Sequence, residues 1–177
     1  MAKRHKLLLL DLEETVLDEF GKGLSAKAVR HAEVKAFLKT EQFDEIRIFS
    51  HAIVNQKDIN TFEKVFKDWL EEALDITISM TNFYTTEKLF QLCREAGVYW
   101  EDEMECALHY GKDEGALQYV KLSPEFVDMD VVLLDDAIRE PMKVEFTRRG
   151  TTLRMVDVNE LPVIGTEPVI QGLAADK

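Results

Sequence analysis

Asp11, Glu13 and Glu14 follow directly on four consecutive leucines, Leu7 to Leu10, and the hydroxyl of Thr15 closes the group. Far downstream, Asp135 and Asp136 follow a second apolar run, Val131 to Leu134. A carboxylate at the end of a buried strand emerges from dry core into a crevice, where it can hold a cation or attack an electrophile. By itself Asp11 reads equally well as a turn residue that ends a strand. The repeated pattern favours chemistry, because two such strands lying side by side would bring Asp11, Asp135 and Asp136 into one crevice. Carboxylates that close repel unless a positive charge lies between them. Mg2+ suits such a set, since it takes carboxylate and carbonyl oxygens together with water and often a substrate phosphate. Neither strand end carries His or Cys, which argues against zinc.

Short unbroken apolar runs fit strands buried on both faces, as in parallel sheets covered by helices, and such sheets bind ligands at their carboxyl ends. The other elements agree. Gly21 and Gly23 around Lys22 predict a small flap or hairpin over the first strand end. Ser25 is placed to cap a helix through about Leu38. EIRIFS, with Ile46, Ile48 and Phe49, reads as a second strand ending at Ser50. Phe62, Val65, Phe66, Trp69, Leu70, Ala73 and Leu74 share one face at helical spacing and predict a helix over 59–74. Residues 75–80 fit a third strand, 87–96 a helix closed by Gly97, and 101–110 a short helix followed by a glycine-punctuated loop. KVEFTRRGTTLRMVDV predicts strand, turn at Gly150 and strand, and 161–177 a flexible tail. Alternating strands and helices predict an α/β doubly wound, mainly parallel sheet in one domain over 1–177, with a small helical, cap-like insertion at about 81–120.

Composition narrows the partners. With 22 basic against 34 acidic residues the chain carries a net charge of -12, which repels phosphate backbones and anionic lipid, so no general nucleic-acid binding is expected. No apolar segment approaches the length of a membrane span, so no membrane partner is expected either. The basic start and leucine run are too short for a secretory signal. Cys93 and Cys106 form neither a CxxC pair nor a metal-ligand series and read as free packing thiols in a reducing cytoplasm. No glycine-rich phosphate loop or dinucleotide fingerprint is present.

DLEET after the first strand, a hydrophobic strand ending in Ser50, a lysine, and VVLLDDA together resemble the four-part signature of the haloacid dehalogenase superfamily of phosphohydrolases, whose usual first motif is DxDx(T/V). For the lysine, Lys121 is preferred, because YVKLSPEFVDMDVVLLDD is similar to the lysine, helix and strand before the last motif in protein phosphatases acting on the tail of RNA polymerase. Lys112 is the competitor. The resemblance implies that Asp11 is a nucleophile forming an aspartyl-phosphate and Ser50 a donor to the phosphoryl oxygens. It implies that the lysine neutralises the intermediate, and that Asp135, with Asp136 close behind, holds Mg2+ together with Asp11 and the main-chain carbonyl of Glu13. Phosphoryl transfer asks a protein mostly for positioning and charge stabilisation, so each role is physically sensible.

One position departs from the pattern. The residue two after the nucleophile, the family's acid and base, is Glu13 instead of aspartate, and its side chain is one methylene longer. The implied activity is a Mg2+-dependent phosphatase of the small-cap or capless type, acting on a small phosphorylated metabolite or nucleotide. The alternative is a catalytically impaired relative that binds a phosphorylated ligand or a protein partner. A flavodoxin- or receiver-like binding domain ranks last, because the second strand ends in Ser50 instead of an acid. Phe83, Tyr84, Tyr99 and Trp100 are candidates to stack on a base or sugar, although such aromatics are more often core. His51 neighbours the site in sequence but reads first as a structural hydrogen-bonder. Arg139, Arg148 and Arg149 are candidates for an anion-steering rim.

Overall fold

The computed structural model of the chain describes residues 3–139, 143–146 and 149–164. Five strands form one sheet among the described residues: β1 (His5–Leu10), β2 (Glu45–Ile48), β3 (Met129–Asp135), β4 (Lys143–Phe146) and β5 (Thr151–Asp157). The order is β2-β1-β3-β5-β4, and only the β4–β5 pair is antiparallel. The two apolar runs that announced strands are therefore adjacent, at the centre of the sheet. Leu7 to Leu10 are all at most 1% exposed. Burying each leucine contributes roughly 2 kcal/mol before chain entropy is counted, which pins the register.

Period-two alternation sends β1 to two cores. Leu8 and Leu10, with Ile46, Ile48, Val132 and Leu134, pack against α1 (His31–Glu41), α2 (Gln56–Thr61) and α3 (Lys67–Leu74). Leu7 and Leu9, with Val131, Leu133, Leu153 and Met155, pack against α4 (Thr86–Glu95) and α5 (Glu103–Leu122). The result is a mixed α/β architecture with helices on both faces of a mostly parallel sheet.

Several boundaries differ from expectation. The first helix starts at His31, not near Ser25, because residues 20–25 form a tight 3-10 segment with Gly23 at φ 56°. The apolar stripe of 59–74 lies on a helix that begins earlier, at Gln56, where the Asn55 side chain accepts from the Asp58 N–H; a π turn at Phe62–Phe66 joins α2 to α3. Residues 75–80 form no strand: Ser79 N–H donates to the Ile46 carbonyl (2.8 Å), but no ladder develops on β2. Gly97, at φ 89°, does follow α4 as anticipated.

The stretch 81–120 is not a cap over the crevice. Its buried residues Tyr84, Leu89, Cys93, Cys106, Ala116 and Tyr119 belong to the second core, so α4 and α5 are the second helical layer of the sheet. Ala137 to Arg139 start no helix, and residues 140–142 lie outside the described residues, as do Arg148 and the 165–177 part of the expected tail. No helix among the described residues is long and apolar enough to cross a membrane.

Candidate functional site

Parallel pairing sets the geometry. Leu10 pairs with Leu134 and with Ile48, so the chain leaves the sheet at Asp11, Asp135 and Phe49 side by side. Asp11 N–H continues the ladder onto the Leu134 carbonyl (3.1 Å), and Phe49 N–H onto the Leu10 carbonyl (2.8 Å), which places Ser50 one residue beyond. Asp11, Ser50 and Asp135 are all buried, and carboxylate oxygens of Asp11, Asp135 and Asp136 lie within 4.8 Å of one another.

Among the described residues, the cation that meets Asp11 and Asp135 is Lys112. Its ammonium bonds Asp11 Oδ1 and lies 2.9 Å from Asp135 Oδ2, with its side chain only 13% exposed. Lys121, preferred from the sequence, is exposed at the end of α5, where its carbonyl accepts from Arg149; it is not in the crevice. The reason lies in Gly111. At φ 69° and ψ -163° it breaks the helix one residue before Lys112 and turns that lysine to the strand ends, while the continuing turns to Leu122 carry Lys121 away. Glycine adopts this backbone without a Cβ penalty.

The break is held by Arg139, three residues beyond Asp136. Its guanidinium donates to the Tyr110 carbonyl (2.9 Å) and to Asp113 Oδ1 (2.8 Å), and its N–H to Asp113 Oδ2 (3.2 Å). Tyr110 and Asp113 flank Gly111 and Lys112, so a side chain from the loop after β3 fixes the segment presenting the lysine. Arg139 is thus not a free rim charge. Arg149 is likewise engaged, donating to the carbonyls of Val120, Lys121 and Ser123.

The remaining contacts orient the acids. Thr15 Oγ1 donates to Asp11 Oδ2 (2.9 Å), and Ala137 N–H to Asp135 Oδ1 (2.9 Å). Asp135 Oδ2 is buried with no hydrogen-bond donor aligned on it, despite the nearby ammonium. Asn159 bridges from the end of β5, its amide donating to the Asp136 carbonyl (3.3 Å) and its Oδ1 accepting from Arg30 (2.6 Å). Arg30 also donates to the Glu14 carbonyl. Ser50 Oγ accepts from Ala52 N–H (3.1 Å). The Glu13 carboxylate is turned to the flap, where Oε2 accepts the Phe20 N–H (2.9 Å).

Burial pushes the Asp11 carboxyl up to about 7; Lys112 opposes the rise and the charge of Asp135 adds to it. Burial and then Asp135 also raise Asp136. Lys112 loses solvation on burial, but the two aspartates more than compensate and hold its ammonium above the ordinary range. His51 goes the other way, down to about 3, because burial and then Lys112 disfavour its charged form. One lysine thus faces three carboxylates, and the deficit is what a divalent cation would fill. Asp11, Asp135 and Asp136 fit a hard, oxygen-seeking ion.

The crevice has a volume of about 410 Å³ and is lined by Asp11, Glu13, Glu14, Ser50, His51, Ala52, Lys112 and Asp136. No aromatic side chain proposed for stacking lines it. Phe83 and Tyr84 are buried core, Trp100 packs on His109 and Tyr110, and Tyr99 is exposed. Sequence reasoning missed Asp113, Asn159, Arg30 and the role of Arg139. The Gly-Lys pair at 111–112 was the available signal, since a glycine ahead of a lysine can end one helix and aim the next residue.

Fold and site define an α/β protein with a five-stranded, mostly parallel sheet that gathers a lysine and an aspartate triad at its carboxyl edge. Comparison with family models, curated proteins and solved structures finds no match to this chain.

Proposed function

We propose that the protein is a Mg2+-dependent phosphomonoesterase of the haloacid dehalogenase type, working through an aspartyl-phosphate on Asp11. The observation that carries this reading is Lys112 between Asp11 and Asp135, with Asp136 beside them and Ser50 on the neighbouring strand end. A nucleophilic carboxylate needs an open approach and a fixed rotamer; the crevice supplies the first and Thr15 the second. Asp11 attacks phosphorus, the bond from phosphorus to the leaving oxygen breaks, and the leaving oxygen takes a proton from Glu13. Glu13 then removes a proton from the water that cleaves the acyl phosphate, returning Asp11 and inorganic phosphate. Lys112 and Ser50 face the charge on the phosphoryl oxygens throughout. Asp11, Asp135, Asp136 and the Glu13 carbonyl would hold Mg2+, which when bound would supply the further positive charge that phosphoryl transfer requires.

A second reading rests on Glu13. Its carboxylate is engaged by the Phe20 N–H, so it must leave the flap to move a proton at Asp11. That favours a slow enzyme or a protein that binds a phosphorylated ligand without turning it over. Hydrolysis of an aryl phosphate with and without Mg2+, by the parent and by Glu13→Asp, separates the two. Metal-dependent turnover by the parent supports the enzyme. Turnover by Glu13→Asp alone supports the binding protein, and inactivity of both with no thermal shift on adding Mg2+ overturns the phosphatase reading.

A further inference from the structure

From the charges that line the crevice we infer, resting on the phosphatase reading, that its ligand is a small phosphomonoester whose non-phosphate part is neutral or cationic, with anionic and nucleotide esters excluded. Among the described residues, Lys112 is the only cationic side chain that lines the crevice, and it is already engaged by Asp11 and Asp135. A divalent cation on the aspartates matches the phosphoryl group and leaves nothing for a second anion. Beyond that point the wall consists of Glu13 and Glu14, together with Ser50, His51 and Ala52, which bring no positive charge at neutral pH.

The nearby arginines do not reverse this balance. Arg30 reaches the Glu14 carbonyl and Asn159, and Arg139 reaches Tyr110 and Asp113; neither lines the crevice. Glu14 is exposed and sits in a left-handed conformation at φ 62°, with its N–H donating to Leu17 and its carbonyl held by Arg30, so its backbone is fixed at the rim. A carboxylate or second phosphate of the ligand, about 4 Å from such an acid, loses roughly tenfold or more in affinity, whereas an ammonium gains. Among the described lining residues a nucleobase finds no Phe, Tyr or Trp and only the largely buried His51 ring, and about 410 Å³ lies toward the small end of ligand sites. Small amino-alcohol and polyol phosphates fit these constraints.

Three phosphonates of matched length test this: 2-aminoethylphosphonate, n-propylphosphonate and 3-phosphonopropionate, titrated calorimetrically into the Mg2+-loaded protein at low ionic strength. The carboxylate compound is expected to bind at least about tenfold more weakly than the propyl compound, and the amine at least as tightly. Glu14→Gln should narrow the gap and Glu14→Lys close or reverse it. Equal or tighter binding of 3-phosphonopropionate overturns the inference, as does a gap that neither Glu14 variant moves. Hydrolysis of O-phosphoethanolamine, glycerol 2-phosphate and phosphoglycolate is measured in parallel. The expected binding order without turnover keeps the ligand class and removes the phosphatase reading; turnover without a charge order does the reverse. No binding of any phosphonate overturns both.

Discussion

The two ends of the sheet treat charge in opposite ways. At the amino end, acids and bases are matched and mostly reach solvent in part: Arg4 pairs with Asp130 (3.1 Å), His5 with Glu45 (2.9 Å), Lys3 with Asp44 (3.4 Å), and Lys6 with Glu41 (3.0 Å). At the carboxyl end one lysine serves three acids, and Asp11 and Asp135 are buried. Pairs of the first kind contribute little to stability, because solvent screens them and long side chains lose freedom. A buried deficit of positive charge is costly, and nothing in the packing of the sheet requires it. The contrast separates surface complementarity from a site arranged for a ligand.

The sharpest way to break the contrast is Asp11→Asn. It is expected to reduce Mg2+-dependent phosphate release by at least about a thousandfold, as befits loss of a nucleophile, with the circular dichroism spectrum unchanged. An Asp11→Asn protein that turns over like the parent removes Asp11 from the mechanism. Next comes Arg139→Gln. Releasing the Gly111–Lys112 segment should lower kcat by roughly ten- to a hundredfold, the scale expected from about 1 Å of misplacement, and should add nothing further in a Lys112→Ala background. Equal losses in both backgrounds would mean that Arg139 does not act through the lysine.

The pH dependence of stability sharpens the comparison from inside the site. Burial and then the Lys112 charge push the His51 imidazole down to about 3 in the folded chain, so below pH 6.5 the unfolded chain binds a proton that the folded one disfavours. Its contribution therefore falls with acidification by roughly 1.4 kcal/mol per pH unit. Asp11, raised to about 7, has the opposite sign: between its unfolded value of 3.8 and about 7 the folded chain holds the extra proton, and its contribution grows as pH falls. Urea unfolding of the metal-free protein at pH 7 and pH 5 should show Asp11→Asn losing roughly 2 kcal/mol relative to the parent over that interval. His51→Asn should gain relative to the parent over the same interval, and parallel curves for all three proteins would contradict both assignments. The smallest effect is at the other end, where Lys3→Ala should change the unfolding free energy by less than about 0.5 kcal/mol and less still in high salt.

Much of the architecture was legible because β1 and β3 are buried on both faces, and a four-residue apolar run ending in acid suits a central strand better than a helix or a loop. The aspartate triad followed from those two strands once their adjacency was assumed, and Ser50 from the length of β2. What escaped was whatever depends on the path of the chain between strands. α5 was legible only as far as Tyr110, because Gly111 interrupts its periodicity, and the choice of Lys121 followed the likeness of YVKLSPEFVDMDVVLLDD to the lysine, helix and strand before a phosphatase family's last motif. The break turns Lys112 inward instead. The supposed strand at 75–80 has strand-forming residues but meets β2 with a single backbone bond, and propensity yields to context at a sheet edge. The Arg139–Asp113 contact joins residues 26 apart across a loop and a strand, a pairing that local pattern does not encode.

The central position of β3 has a consequence for the nascent chain. Asp11 is synthesised 101 residues before the lysine that compensates it, an interval of about 5 to 20 s at ordinary elongation rates. During that time β1 has only β2 as a possible sheet neighbour, and its apolar run lacks the partner that supplies its second flank. The crevice is therefore a late product of biogenesis, dependent on contacts of high sequence separation that form slowly.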